Sequence, residues 1–179
     1  MLPKKQKLLL HICCAPCATY VINLLKEDYE IFGFFYNPNI YPQVEYFKRL
    51  KEAKKYTINL LPLFIGNYES KRWNNKVVGL EREKEGGKRC SICFRIRLEK
   101  TANIALKNNF FYFATTLSVS PYKNVKIINQ IGQELEGKLK IKFLAEDFKK
   151  KDGYKISCQL SKKHNLYRQS YCGCVFSAN

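Results

Sequence analysis

Short apolar segments alternate with segments of helical periodicity along this chain, and this alternation constrains the fold more than any other feature. The first apolar segment, residues 8–12, ends at a cysteine-rich turn, and helical spacing of apolar residues follows at once. Strands are predicted at 8–12, 30–36, 60–65, 110–115 and 141–144, and helices at 18–26, 42–56, 73–80, 90–108, 125–135 and 154–163. Such alternation predicts an α/β fold with a mainly parallel sheet covered by helices on both faces.

The length of 179 residues is typical of one domain with a substantial core, so we expect a single α/β domain over residues 1–179. Hydrophobic residues make up 46% of the chain, which predicts a soluble globular protein. No apolar stretch approaches the ~20 residues that cross a bilayer, and the basic N-terminal run is not a signal peptide. We therefore expect a cytoplasmic protein with no membrane partner and with reduced thiols.

The positive charge of the chain indicates a polyanionic partner. The 32 lysines and arginines outnumber the 15 acidic residues and give a net charge of +17, a field that concentrates nucleic acids. Candidates for phosphate contacts are residues 149–151, residues 162–163 and Arg168, and candidates for stacking on unpaired bases are Tyr36, Tyr41 and Tyr171. We expect an RNA or DNA to be bound on these residues.

Seven of the eight cysteines fall into three close groups, whereas isolated core cysteines do not cluster in this way. The groups are Cys13, Cys14 and Cys17, then Cys90 and Cys93, then Cys172 and Cys174, while Cys158 stands alone and is expected to pack in the last helix. The first group follows the first strand, and the loop at 115–123 follows the fourth strand. Because functional sites gather at the carboxyl ends of parallel strands, we expect both loops to face one crevice.

Three chemistries could use these thiols. A structural zinc ion needs four thiolates, but the separation between the two C-x-x-C pairs is far larger than in a zinc ribbon. An iron–sulfur cluster also needs about four thiolates but is less restricted in sequence spacing, and helix N-termini and positive charge stabilise it. Both C-x-x-C pairs lie at predicted helix starts, and basic residues surround the second pair. The C-x-C pair in the tail could form an easily reduced disulfide or hold a metal. The residues themselves leave these readings open.

Five blocks of the sequence, in order and over nearly the whole chain, resemble the QueH-type, cobalamin-independent epoxyqueuosine reductases. The blocks are CCAPCATY (13–20), FFYNPNI (34–40), GKRCSIC (87–93), TTLSVSPYKN (115–124) and LYRQSYCGCVFS (166–177). The resemblance implies a Rossmann-like three-layer fold, similar to nucleotide-alpha-hydrolase proteins. It also implies the last step of queuosine biosynthesis, the reduction of epoxyqueuosine to queuosine at the wobble position of tRNA.

The resemblance also implies roles for the cysteines. Cys13, Cys14, Cys90 and Cys93 are expected to hold a [4Fe–4S] cluster without cobalamin. Cys172 and Cys174 are expected to form a redox-active dithiol or to bind a second, mononuclear iron beside it. Cys17 stays open between a cluster ligand, a ligand of the second metal and a spare thiol. A tail from about residue 166 to residue 179 would fold back onto this site, and an unidentified donor would supply electrons.

The implied reaction converts an epoxide to an alkene with loss of water, which takes two electrons and two protons. A positioned acid helps the C–O bond to break. Tyr122 and Lys123 are the favoured candidates because they lie on the loop that should face the cysteines, and Asp147 and Tyr171 are further candidates. His11, at the end of the first strand, is expected to be a hydrogen-bonded core residue instead.

Two rival functions stand beside this reading. An iron–sulfur tRNA thiolase would share the α/β fold, but it needs a glycine-rich phosphate loop after the first strand, where this chain has Cys13 to Cys17 and no glycine. A zinc-stabilised RNA-binding module without catalytic activity would explain the charge and the C-x-x-C pairs, but not the remaining cysteines. The colour and metal content of the purified protein distinguish these rivals.

Overall fold

The computed structural model describes residues 5–177. Strands are β1 (Gln6–His11), β2 (Tyr29–Phe35), β3 (Leu63–Ile65), β4 (Tyr112–Thr115) and β5 (Lys142–Phe143). Helices are α1 (Ala15–Leu25), α2 (Gln43–Thr57), α3 (Ser70–Val77), α4 (Lys88–Lys107), α5 (Val125–Leu139) and α6 (Gly153–Lys163). Two short 3₁₀ helices, Thr116–Val119 and Val175–Ser177, were not predicted.

Several predicted boundaries were wrong, and two of them have clear local reasons. The third strand begins at Leu63, because the chain turns after α2 and the N–H groups of Leu60 and Leu61 donate to the Thr57 carbonyl. Helix α3 ends at Val77 instead of Leu80, because Gly79 adopts a positive φ of 81° that a right-handed helix does not tolerate. The order and type of all the predicted strands and helices are confirmed.

The five strands form one parallel sheet in the order β3-β2-β1-β4-β5. This confirms the predicted α/β class. The chain builds outward from β1 through β2 to β3 and then returns to β4 on the other side of β1. The strand order therefore reverses between β1 and β4, and the crevice outside their carboxyl ends is where such folds bind ligands.

The apolar run of β1 is buried because helices cover both faces of the sheet. Leu8 and Leu10 belong to the core on one face, packed with Val21 of α1 and Ala53 of α2. Leu9 points to the other face and belongs to a second core that includes residues of α3, α4 and α5. Continuous apolar strands are typical of sheets buried on both sides. Within residues 5–177, no helix has the length and apolar character that crossing a membrane requires.

Candidate functional site

Three thiols meet directly after β1. Cys13 and Cys14 lie on the turn into α1, where Cys14 has extended backbone, and Pro16 lies in the first turn of the helix, where its missing N–H is not needed. Cys17 follows in the same turn. The Sγ atoms of the three residues all lie within 4.8 Å of one another, and all three thiols are free. The short turn therefore brings all three thiols of the first group to one point.

Within the triad, Cys13 is the thiol whose pKa is lowered, whereas the pKa values of Cys14 and Cys17 are raised. Hydrogen bonds from the Cys14 and Cys17 thiols lower the pKa of Cys13 well below its usual value, and the Thr116 hydroxyl donates to the same sulfur at 3.3 Å. The Cys13 backbone N–H donates to that hydroxyl oxygen at 3.1 Å. Because Thr116 follows β4, these two bonds join the β1 and β4 loops and confirm that they face one crevice.

Cys90 and Cys93 lie in the first two turns of α4. The Gly86 N–H donates to Cys90 Sγ at 3.2 Å, and the Arg97 guanidinium donates to Cys93 Sγ at 3.2 Å. Burial raises the pKa of Cys93 to about 11. The structure places Cys93 and Cys174 in the same buried cluster as Cys13 and Cys14, with Cys17 and Cys90 packed against it. Thiols from all three groups thus lie in one region.

Arg97 is the central charge of this region, although it is buried. Burial opposes its charge, but the nearby thiols of Cys93, Cys172 and Cys13 raise its pKa above the usual value. Arg89 is buried as well, and its side chain donates to the carbonyls of residues 80 and 81. A basic residue four positions after Cys93, on the same helix face, was the available sequence signal.

The tail is held against α2 by Arg49, a residue that sequence reasoning missed. The buried guanidinium donates to the Cys172 carbonyl at 3.0 Å and the Tyr171 carbonyl at 3.2 Å, while its Nε donates to Glu45 at 2.7 Å. Gly173 has a φ of +123°, and a Cβ there would lie 2.8 Å from the guanidinium, so only glycine fits between the two cysteines. Cys172 thereby lies against the crevice.

A cavity of about 330 Å³ lies between the triad and the tail. Cys13, Cys17 and Cys172 line it, and four cationic side chains join them: Arg49, Arg97, Lys123 and Arg168. Glu85 is the acidic residue among its lining side chains. The cavity therefore combines thiols with a strong positive charge, an arrangement suited to an anionic substrate beside a reducing centre.

Tyr122 and Lys123 both line this cavity, but their settings differ. Tyr122 is 75% exposed and lies at the mouth. Lys123 is partly buried, and although burial would lower its pKa, the thiols of Cys172, Cys13 and Cys17 raise the pKa above its usual value. The nearby thiols therefore favour the charged form of Lys123.

His11 is a neutral core residue, as expected. Burial, with the charge of Arg97, lowers its pKa to about 4. Its Nε2–H donates to the Tyr36 carbonyl at 3.1 Å, so its Nδ1 accepts from the Thr115 hydroxyl at 2.9 Å. Both ring nitrogens are thereby occupied by the sheet edge. His11 therefore supports the loops around the crevice, and its neutral ring is not an acid at physiological pH.

The residues expected to contact RNA are not all accessible. Tyr36 was a wrong candidate for base stacking, because it is fully buried and its hydroxyl donates to Glu69. Tyr41 is exposed, and Tyr171 and Arg168 line the cavity. Of the candidate lysines, Lys149 is tied to the Lys123 carbonyl, while residues 150, 151, 162 and 163 are exposed. Four of the five candidate lysines are therefore accessible to solvent.

The donor set fits an iron–sulfur cluster. Three free thiols, of which Cys13 and Cys14 are buried, lie within reach of one metal centre, and two further cysteines begin the neighbouring helix α4. Thiolate clusters carry negative charge that nearby cations stabilise, and Arg97 and Lys123 supply such cations here. The buried, positively charged surroundings match this chemistry.

Comparisons with known proteins agree with this site. A family model described as "QueH: Epoxyqueuosine reductase QueH" matches residues 8–179. The epoxyqueuosine reductase QueH of Streptococcus pyogenes serotype M1 is 39% identical over 181 residues, which cover 97% of this chain and 71% of that protein. The protein of the same name from Thermotoga maritima is 39% identical over 174 residues, covering 94% of this chain and 88% of that protein.

A solved structure shares the fold. The U34-tRNA thiolase NcsA from Methanococcus maripaludis, solved with its [4Fe-4S] cluster, superposes with a TM-score of 0.61 at 15% identity. The match covers 99% of this chain, and this chain spans 63% of the thiolase chain. At such low identity the likeness establishes the fold alone. The identity to the reductases over nearly the whole chain carries the assignment: this chain belongs to the epoxyqueuosine reductase QueH family.

Proposed function

We propose that this chain reduces epoxyqueuosine to queuosine in tRNA, with the modified nucleotide bound in the cysteine-lined cavity. The observation that carries the proposal is the meeting of thiols and cations in one cavity in a chain of this family. The substrate is inferred from the relatives, which are named as epoxyqueuosine reductases. The cavity adds a place where the epoxide can lie between Cys13, Lys123 and Cys172.

The reaction sets what the site must supply. The epoxide accepts two electrons and two protons, both of its C–O bonds break, and its oxygen leaves as water while the two carbons become an alkene. Among side chains only a dithiol supplies electrons, so the reaction needs a redox cofactor. A bound [4Fe–4S] cluster would supply electrons one at a time. The chain's own residues must therefore bind the nucleotide, hold the metal and deliver protons, and an external donor must renew the electrons.

Cys13, Cys14, Cys90 and Cys93 are the proposed cluster ligands. The support is that Cys13, Cys14 and Cys93 share one buried cluster and that Cys90 packs against it. The pKa of Cys13 is already low in the triad, so this thiol gives up its proton readily to a metal. The hydrogen bond from the Thr116 hydroxyl to Cys13 Sγ would orient this ligand from the neighbouring loop.

Cys172 and Cys174, with Cys17, are proposed to act beside the cluster, either as a redox dithiol or as ligands of a second iron. Cys17 and Cys172 both line the cavity, so they can reach a substrate or a metal there. Metal analysis separates the two possibilities. Replacing Cys172 and Cys174 by serine would lower the iron content if they are ligands and leave it unchanged if they form a dithiol.

Lys123 is the favoured proton donor, with Tyr122 as the second candidate. Lys123 lines the cavity together with Cys13 and Cys172, so its ammonium group can reach the oxygen of an epoxide bound there. Tyr122 is more exposed and suits contact with the nucleotide at the mouth. Lys123→Gln should lower kcat, whereas Tyr122→Phe should mainly raise KM.

The proposal is tested on the chain reconstituted with iron and sulfide without oxygen. We expect a brown protein with about four or five irons. Incubated with a chemical reductant and tRNA that contains epoxyqueuosine, it should yield a nucleoside that has lost one oxygen atom by mass spectrometry. Unchanged nucleoside would refute the proposal. A colourless zinc protein would favour the RNA-binding module, and a gain of sulfur would favour a thiolase.

A further inference from the structure

A second cavity adjoins the first and has no role in the reaction described so far. It measures about 630 Å³ and lies between the segment that follows β2 and the beginning of α3. Asn39 and Ile40 line both cavities, so they form the wall between them. A molecule that enters the cysteine-lined cavity and continues past this wall would reach the second cavity.

Asn39 marks the wall as a binding site. The residue is only 2% exposed, and its amide oxygen has no hydrogen-bond partner within residues 5–177. Buried polar atoms are almost always hydrogen-bonded, so an unpartnered acceptor in a cavity wall calls for a ligand with an N–H or O–H group. Gln169 has a second unpartnered amide oxygen and lines the first cavity, whereas Asn39 lines both cavities.

The other side chains of the second cavity suit an unpaired nucleotide. The Tyr41 ring is 55% exposed and can stack on a base. Lys71 and Arg72 supply positive charge for a phosphate. Glu69 supplies an acceptor carboxylate, which is held in place by the Tyr36 hydroxyl at 2.6 Å and the Lys100 ammonium at 3.2 Å. An aromatic face, cations and acceptors together are the elements by which proteins bind single-stranded RNA.

We propose that the second cavity binds the base of a nucleotide directly next to the modified nucleotide in the same RNA strand. Asn39 accepts a hydrogen bond from an N–H group of that base, and Tyr41 stacks on it. The inference rests on the proposed function, because the modified nucleotide must occupy the first cavity. It goes further in that the enzyme then recognises the neighbouring base and not only the epoxide.

The test uses a stem-loop RNA that carries epoxyqueuosine, with an abasic site placed either before or after the modified nucleotide. With the holoenzyme, one of these abasic sites should raise KM about 10-fold and leave kcat nearly unchanged, because one base stack is lost far from the reacting atoms. The variant Asn74→Trp fills the second cavity, since Asn74 lines it. Its KM for the intact stem-loop should already be raised, and the abasic site should add nothing.

Asn75→Trp is the matched control. Asn75 is the next residue of α3, is equally exposed and does not line the cavity, so this variant should keep the full abasic effect. An abasic effect of the same size in Asn74→Trp as in the native enzyme would overturn the inference, as would a native enzyme that responds to neither abasic site. A native enzyme that fails to reduce the intact stem-loop would instead contradict the proposed function.

Two further measurements locate the contact. In Asn39→Ala, the abasic penalty should shrink, whereas an equal loss of affinity for intact and abasic RNA would assign Asn39 to the modified base and contradict its proposed role. A 4-thiouridine placed at the sensitive position should crosslink, on irradiation of the native holoenzyme, to the peptides that contain Tyr41 or Tyr68. Crosslinks confined to other segments would show that the base lies elsewhere.

Discussion

The cysteine-lined edge of the sheet and the α5–β5 side of the molecule use charge in opposite ways. Around the cysteines, Arg49 and Arg97 are almost fully buried and bind carbonyls or thiols. On the α5–β5 side, Arg95 pairs with Glu134 while both side chains remain more than 40% exposed. The core beneath that pair is apolar, with the rings of Phe113 and Phe143 in contact at a centroid distance of 4.9 Å.

This difference indicates that the buried charges at the cysteine-lined edge are there for binding and chemistry, whereas the apolar contacts on the α5–β5 side stabilise the fold. Burying a charge costs free energy unless specific partners replace water, so a chain gains little stability from a buried arginine that an apolar residue would not give. Buried apolar contacts stabilise the fold directly. Variants on the two sides should therefore separate loss of activity from loss of stability.

The largest expected effect is on activity and comes from the triad. Cys13→Ser removes the thiol with the lowered pKa and should decrease turnover more than about 100-fold, because even residues that only orient a ligand are worth 10- to 100-fold. Iron content should fall with it, while the far-ultraviolet circular dichroism stays native. Cys158→Ser, on α6 and outside the clustered thiols, is the control and should keep both activity and iron. Full activity in Cys13→Ser would show that the reaction does not depend on the triad.

The second effect combines both properties. Arg49→Gln removes the donor that holds the Cys172 and Tyr171 carbonyls and leaves the buried Glu45 without its cation. Breaking a buried ion pair in this way should lower the free energy of unfolding by about 3 kcal/mol, measured in urea, and should also decrease turnover because the tail loses its position.

Arg95→Gln is the matched control for Arg49→Gln. The Arg95 pair is exposed to water, and exposed ion pairs contribute little, so neither unfolding nor turnover should change measurably. An equal decrease in the free energy of unfolding in both arginine variants would contradict the difference between buried and exposed charge.

Local sequence patterns were enough to predict the sheet and the position of the first cysteine group. The apolar run before Cys13, and Pro16 in the next turn, were enough to place the first three thiols between a strand and a helix. The alternation of strands and helices was enough to predict a parallel sheet whose carboxyl edge carries them. These features depend on neighbours in the sequence, which is why periodicity and turn residues reveal them.

The contact of Arg49 with the tail could not be predicted, because the carbonyls that it binds there are far away in the chain. Arg49 lies on a helix rich in lysine and glutamate and bonds to Cys172, which is 123 positions away. Nothing near Arg49 distinguishes it from its solvated neighbours. The unpartnered Asn39 is a similar case, because the two cavities that it lines are formed together with residues far away in the chain. Only the assembled fold shows which polar side chains are removed from water.

The third effect is on stability and belongs to the α5–β5 side. Gly132 of α5 lies against Phe143, and a Cβ there would overlap with the ring. Gly132→Ala should therefore lower the free energy of unfolding by about 1–3 kcal/mol through overpacking, with iron content unchanged. Gly137→Ala lies on the same helix with nothing near its Cβ position and should instead stabilise the protein by about 0.5–1 kcal/mol. A loss of iron in Gly132→Ala would show that the two sides are coupled.

The smallest effect is a pH dependence on the same side. The Glu136 carboxylate accepts hydrogen bonds from the Phe143 N–H at 2.9 Å and from Lys142 at 3.1 Å, and the backbone donor lowers the pKa of Glu136 below its usual value. A carboxylate with a lowered pKa stabilises the fold above its unfolded pKa, and this stabilisation disappears as the pH falls through the folded value. Because the side chain is 30% exposed and screened by water, the contribution is a few tenths of a kcal/mol. Urea unfolding of the native chain and of Glu136→Gln should thus differ slightly at neutral pH and converge in acid, whereas a difference that is constant with pH would assign it to packing and not to charge.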